Sequence, residues 1–114
     1  MVRRIEWIGS SLRDLISMPE GVRGEFGHGL YLAQTGLRHL NAKPYGDSIE
    51  LIERYDGDTY RCVYNIRIDD DLYVLHAFQK KSTSGISVPR RDKETIAARL
   101  KAARQLAADK PKKG

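Results

Sequence analysis

The run IELIERYDGDTYRCVYNIRIDDDLYVLHAFQKK, residues 49–81, decides the fold. Ile49 to Tyr55 is rich in β-formers, and Asp56-Gly57-Asp58 follows as a hairpin turn signal. From Tyr60 to Ile68 the chain alternates: Tyr60, Cys62, Tyr64, Ile66 and Ile68 face one way, and Arg61, Asn65 and Arg67 the other. Asp69, Asp70 and Asp71 make the next turn, and Leu72 to Lys81 reads as another strand. Connections this short allow only antiparallel pairing, so the run predicts a three-stranded meander.

Upstream, RRIEWI at residues 3–8 reads as a first strand. Ser10 and Ser11 offer N-cap oxygens to a helix carrying Leu12, Leu15 and Ile16 on one face. A second helix begins at Pro19, with Val22, Phe26, Leu30, Ala33 and Leu37 at helical spacing over about five turns. Gly24, Gly27 and Gly29 each weaken it by about 1 kcal/mol relative to alanine and suggest a close approach of the two helices; Gly36 terminates it. Residues 38–48 read as a long loop, as do residues 82–91. Asp92 caps a last helix with Ile96, Leu100, Ala103 and Ala107 on its apolar side, and residues 110–114 form a frayed basic tail. The expectation is one α+β domain over residues 1–109 of order β-α-α-β-β-β-α. Its small antiparallel sheet would carry helices on one face and leave the other partly open.

Composition narrows the function classes. No stretch is apolar enough for a membrane span, and the N-terminus lacks the apolar run of a secretory signal. Cys62 is alone, which excludes an internal disulfide and suits a reducing cytoplasm. Residues 1–58 carry 7 basic and 9 acidic side chains, and residues 59–114 carry 13 and 6. A second half this basic is what a protein approaching a polyanion shows, although a basic tail and a solvated helix face would give the same count. There is no phosphate-binding glycine loop and no Gly-x-Ser-x-Gly elbow. The three histidines, His28, His39 and His76, have no close ligand spacing, so no metal site and no cofactor are expected.

What remains is a set of cations on strands. Arg61 and Arg67 flank Asn65, and one of Lys80 and Lys81 must share their face whatever the register. His76 lies on the face of Lys80, and Tyr60, Tyr64 and Tyr73 either belong to the core or supply aromatic surface of the kind that stacks on unpaired bases. Such cations can hold a backbone phosphate while the neighbouring 2′-hydroxyl attacks it, a reaction whose nucleophile belongs to the substrate. Two readings stand side by side here. The arginines either meet a phosphate or pair with Glu50 or Glu53 across the hairpin. His76 is either a catalytic base or a half-buried structural residue.

The segment YRCVYNIRIDDDLYVLHAFQKKSTSGISVPRRDKETIAARLKAA, residues 60–103, resembles the HigB-type, phage-derived branch of the RelE/ParE toxin superfamily. That branch has a Tyr-Arg strand, a strand ending Leu-His-Ala-Phe-x-Lys-Lys-Ser, then proline and an Ala/Arg-rich helix. The strand with Trp7, the helix leading to Met18-Pro19, the Ala33-Gln34-x-Gly36 segment, and the Lys43-Pro44 loop agree with it. The resemblance implies a RelE-like fold and a ribosome-dependent endoribonuclease that cuts mRNA. Its partners would be the ribosome with its mRNA and a HigA-type helix-turn-helix antitoxin, with operator DNA reached only through the antitoxin. By position it makes Arg61, Lys80 and Lys81 the catalytic candidates, and Tyr64, Arg67, His76, Arg90 and Arg91 the RNA contacts. No tyrosine follows Lys81, where some RelE relatives place a catalytic one, so the resemblance assigns no general base. ParE relatives share the fold and inhibit DNA gyrase without cutting RNA, and a degenerate regulator that only binds its antitoxin is a further alternative.

Overall fold

In the computed structural model, residues 2–80 and 88–111 are described. The elements are β1 (Ile5–Trp7), α1 (Ser11–Ile16), α2 (Glu20–Gln34), β2 (Ala42–Tyr45), β3 (Ser48–Tyr55), β4 (Asp58–Asn65), β5 (Leu72–Lys80) and α3 (Arg90–Asp109). The α+β class and the meander stand. The sheet has five strands, ordered β1-β5-β4-β3-β2. The additional strand is β2, within the segment read as loop. Pro44 hides it in the sequence, yet proline is tolerated there because β2 is an edge strand. The sheet is also mixed rather than purely antiparallel, since β1 pairs with β5 in parallel.

Local chemistry sets the boundaries. Asp56 and Gly57 both adopt positive φ, 51° and 82°, between the paired Tyr55 and Asp58, the backbone a two-residue hairpin loop requires. β4 ends at Asn65 rather than Ile68 because the Asn65 side chain accepts the Arg67 N–H at 2.8 Å and turns the chain out of the sheet. Gly36 (φ 87°) closes α2, with the Leu37 N–H bonded to the Leu32 carbonyl at 2.8 Å. Leu37 therefore lies beyond the helix and is exposed. Neither serine caps α1: Ser10 Oγ donates to Asp14 at 2.6 Å, and buried Ser11 Oγ donates to the Val74 carbonyl at 3.2 Å, tying α1 to β5.

Two cores share the sheet. Leu15 of α1, Met18 of the connection, and Val22, Phe26 and Leu30 of α2 pack with Ile49, Leu51, Tyr60, Cys62, Tyr64, Leu72 and Val74. Ile96 and Ala103 of α3 pack with Val63, Tyr73, Leu75 and Phe78. Because Cys62, Val63 and Tyr64 alternate between these cores, the two lie on opposite faces. The expected helical layer is thus made by α1 and α2, while α3 covers part of the second face. Lys110, read as the start of a frayed tail, is anchored instead. Its ammonium donates to Asp71 at 2.6 Å and to the Tyr73 hydroxyl at 2.8 Å. Those partners hold its pKa above the ordinary lysine range, against the opposing effect of burial.

A bulge in β5 sets which side chains appear beside α3. Val63 pairs with His76 but Tyr64 with Val74, so Leu75 is an extra residue. Strict alternation from Leu72 and Val74 would put His76, Phe78 and Lys80 into the α1/α2 core. The bulge turns them to the α3 face. The Leu75 carbonyl accepts from Arg99 Nη1 of α3 at 3.1 Å.

The glycines of α2 act differently from expectation. A Cβ on Gly29 would sit 2.8 Å from Leu51 Cδ1, so this glycine admits the sheet rather than the other helix, whereas one on Gly24 or Gly27 would meet nothing within 4 Å. Gly29→Val should lower the unfolding free energy by about 1–3 kcal/mol. Gly24→Ala and Gly27→Ala should each raise it by about 0.5–1 kcal/mol. Urea titrations of the three variants measure both effects.

Candidate nucleic-acid interface

Register places three rows of side chains across the α3 face. Glu50, Val63 and His76 form one; Ile52, Arg61 and Phe78 the next; Arg54, Thr59 and Lys80 the third. Arg61 is the middle of this grid. Glu50 and His76 lie diagonally to one side of it, Arg54 and Lys80 to the other, at the ~7–8 Å typical of diagonal neighbours. Lys43 of β2 extends the Glu50 row at the sheet edge. Arg61 and Lys80 therefore do share a face, as the strand pattern required, and His76 shares it with them.

Arg61 Nη1 donates to Glu50 Oε2 at 2.9 Å, so the cross-hairpin pairing foreseen as one of two readings is present. Glu50, Arg61 and Lys80 are only 5%, 6% and 7% exposed, whereas Arg54 and Lys43 are open to solvent. A buried ion pair of this kind is costly to break from one side, about 3–5 kcal/mol, because the remaining charge is stranded. A phosphate that meets Arg61 must do so beside the Glu50 carboxylate or in its place.

His76 is held from three sides. Nε2 lies 2.8 Å from Asp92 Oδ1, Nδ1 lies 3.3 Å from Arg99 Nη1, and the ring stacks on Phe78 at 4.6 Å between centroids. An arginine can only donate, so Nδ1 accepts and the neutral ring carries its proton on Nε2, which donates to Asp92. Burial holds the His76 pKa below its ordinary value, and the Asp92 hydrogen bond opposes that only in part. This arrangement suits a positioning residue that fixes α3 on the sheet. Asp92 is correspondingly occupied by His76 and does not cap α3, which starts after Pro89. Arg99 also donates to Ser10 Oγ at 2.9 Å, and Gly9 makes room for it: a Cβ there would come 2.7 Å from Arg99 Nε. Tyr45 lies near the same cluster. Burial, then the charges of Glu50 and Asp92, raise its pKa and keep its phenol a neutral donor.

Other expected site residues lie elsewhere. Tyr64 is 1% exposed in the α1/α2 core, on the opposite face from Arg61, and burial raises its pKa; it has no surface for a base to stack on. Arg67 is exposed beyond the end of β4 and does not join Arg61. Arg90 and Arg91 are exposed at the start of α3, where Arg90 bridges Glu94 at 3.1 Å, a surface pair of small energetic weight. Lys81 falls outside the described residues. The sequence reading overlooked Arg54 and treated Glu50 only as a partner. Their signal was the even-numbered spacing of Ser48, Glu50, Ile52 and Arg54 along β3, which places polar groups on one face of a strand.

Comparison with known protein families bears on this face. The model of the phage-derived Gp49-like proteins (DUF891) matches residues 13–101, from α1 through most of α3. The chain belongs to the Gp49-like family. This family is associated with toxins of toxin–antitoxin pairs of the RelE/HigB type. The matched region of this Gp49-like chain includes Glu50, Arg54, Arg61, His76, Lys80 and Asp92. A search of curated proteins and a search of solved structures each returned no match.

The His76 environment predicts a pH dependence of stability. The unfolded ring protonates near its ordinary value of about 6.5, while the folded ring does so only at lower pH. Stability is therefore full above that value and is lost as pH falls through it, levelling off below the folded pKa. Melting temperature should drop between pH 7.5 and 5.5, and His76→Gln should flatten that slope. An unchanged slope in the variant would show that His76 does not carry it.

Proposed function

We propose that this Gp49-like protein is the toxin of a toxin–antitoxin pair and that it arrests translation by cutting mRNA on the ribosome. The observation that carries the reading is the grid around Arg61, with Arg54 and Lys80 on one side and Glu50 on the other. The family association supports the toxin role, and the basic second half of the chain supports a polyanionic substrate.

The reaction assigned to this face is transesterification. The substrate's 2′-oxygen forms a bond to phosphorus, the bond from phosphorus to the 5′-oxygen breaks, and a cyclic phosphate and a 5′-hydroxyl result. The proton leaves the 2′-hydroxyl and another must reach the 5′-oxygen. In this reading the Glu50 carboxylate accepts the first. Arg61 and Lys80 balance the negative charge that grows on the phosphoryl oxygens, and Lys80 Nζ is the donor for the second. His76 and Asp92 hold α3 at the edge of this face. A HigA-type antitoxin is the partner this reading calls for, and the cytoplasm is its compartment.

Removing Arg61 outright would strand the Glu50 carboxylate, so the informative substitutions are Arg61→Lys and Lys80→Met. Each should lower mRNA cleavage roughly 100-fold and relieve growth arrest, while binding of the antitoxin encoded beside the gene stays within about twofold. Primer extension on transcripts after brief induction reads the outcome. Discrete, translation-dependent cuts that disappear in both variants are expected; intact mRNA together with blocked DNA supercoiling would overturn the assignment.

A further inference from the structure

A cluster far from the Arg61 face has chemistry of its own. Glu25 and His28 stand three residues apart on α2, so their side chains share one helix surface. His39, eleven residues further along, returns to the same spot from the connection after the helix. One ligand atom from each of the three lies within 4.8 Å of the others. His39 Nε2 is 3.0 Å from Glu25 Oε2, and the His28 and His39 rings meet edge to face at 5.5 Å between centroids.

The connection holds His39 firmly. Its carbonyl accepts the Ala42 N–H at 3.1 Å, its Nδ1 accepts the Asn41 N–H at 2.9 Å, and the Asn41 side chain donates to Glu53 at 2.7 Å. The segment lies against α2, where a Cβ on Gly29 would be in ordinary contact with His39 Cβ at 3.5 Å. The His39 side chain is 10% exposed and that of Glu25 is 49% exposed. One ligand is thus half-buried, and the other two are exposed at the surface.

We propose that Glu25, His28 and His39 bind a divalent transition-metal ion of borderline softness, Zn2+ being the type. Two imidazoles and one carboxylate are the donor set such ions prefer, whereas Mg2+ and Ca2+ take oxygen donors. Bonds of about 2.0–2.2 Å to a tetrahedral ion place ligand atoms roughly 3.3 Å apart. Rotation of Glu25 and His28 covers the difference from the present spacing. Three protein ligands leave a fourth position for water or for a side chain of a bound partner. In the metal-free arrangement His39 donates from Nε2 to Glu25 while Nδ1 accepts from Asn41. Coordination through Nε2 replaces that proton and makes Nδ1 the ring donor. The Asn41 amide contact is then given up, and the 39–42 turn adjusts. The bound ion would clamp the connection after α2 onto the helix.

Calorimetric titration of the full chain, purified without a polyhistidine tag and stripped of metal, tests this with ZnCl2 and MgCl2. Zn2+ should bind with one-to-one stoichiometry at micromolar Kd, raise the melting temperature and move the Asn41 amide resonance, with the Glu50 and Arg61 amides unmoved; Mg2+ should do none of this. His28→Ala, at an exposed position, and Glu25→Gln should each weaken Zn2+ binding at least about tenfold without changing the fold. Absence of saturable Zn2+ binding, wild-type affinity in His28→Ala, or an unmoved Asn41 resonance on saturation would each overturn the proposal. None of these readouts depends on the nuclease reading.

Discussion

The extra residue at Leu75 governs what the sheet shows to each side. Before it, β5 sends Leu72 and Val74 toward α1 and α2; after it, His76, Phe78 and Lys80 point the other way. A bulge that interrupts the ladder needs its stray backbone groups satisfied. Arg99 does this for the Leu75 carbonyl, and the same guanidinium reaches His76 and Ser10. One side chain on α3 thus stabilises the irregularity, orients the histidine beside it and fastens the helix to the start of α1. Gly9, at φ 57°, leaves the space that this guanidinium occupies.

That constraint has a direct electrostatic result. By turning Lys80 to the face of Arg61, the bulge gathers positive charge beside a carboxylate, all three groups being buried. Charges there act more strongly on one another than on the solvated surface. Removing either partner of the Arg61–Glu50 pair would strand a buried charge. The pair holds a guanidinium and a carboxylate a single hydrogen bond apart. The exposed Arg54 and Lys43 carry the positive charge of the same face out to solvent.

The opposite face serves a different purpose. There α1 and α2 bury an uninterrupted apolar layer, and Tyr60, Cys62 and Tyr64 contribute to it. Burial raises the Cys62 thiol to about 12, which leaves it inert as a nucleophile. The division of labour is between a face that stabilises and a face that carries ionisable groups, and α3 with its Asp92–His76 contact marks the border.

Much of this was legible in the sequence. The alternation from Tyr60 to Asn65 marks a strand, because strand side chains must alternate, while the structure buries both of its faces. Asp56-Gly57 marks a turn, because few other residues accept positive φ at both positions. The shared face of Arg61 and one of the two lysines followed from parity alone, and the segment from Leu75 to Ser82 pointed to the toxin superfamily. Tertiary structure decided the rest. Which lysine joins Arg61 depends on one unpaired residue, which leaves no mark in hydropathy. β2 is concealed by a proline that only an edge position accommodates. His28 and His39 are eleven residues apart yet in contact. Sequence spacing constrains neighbours along one element. Long-range pairing sets which elements meet, and that is where the ionisable groups of this protein are assembled.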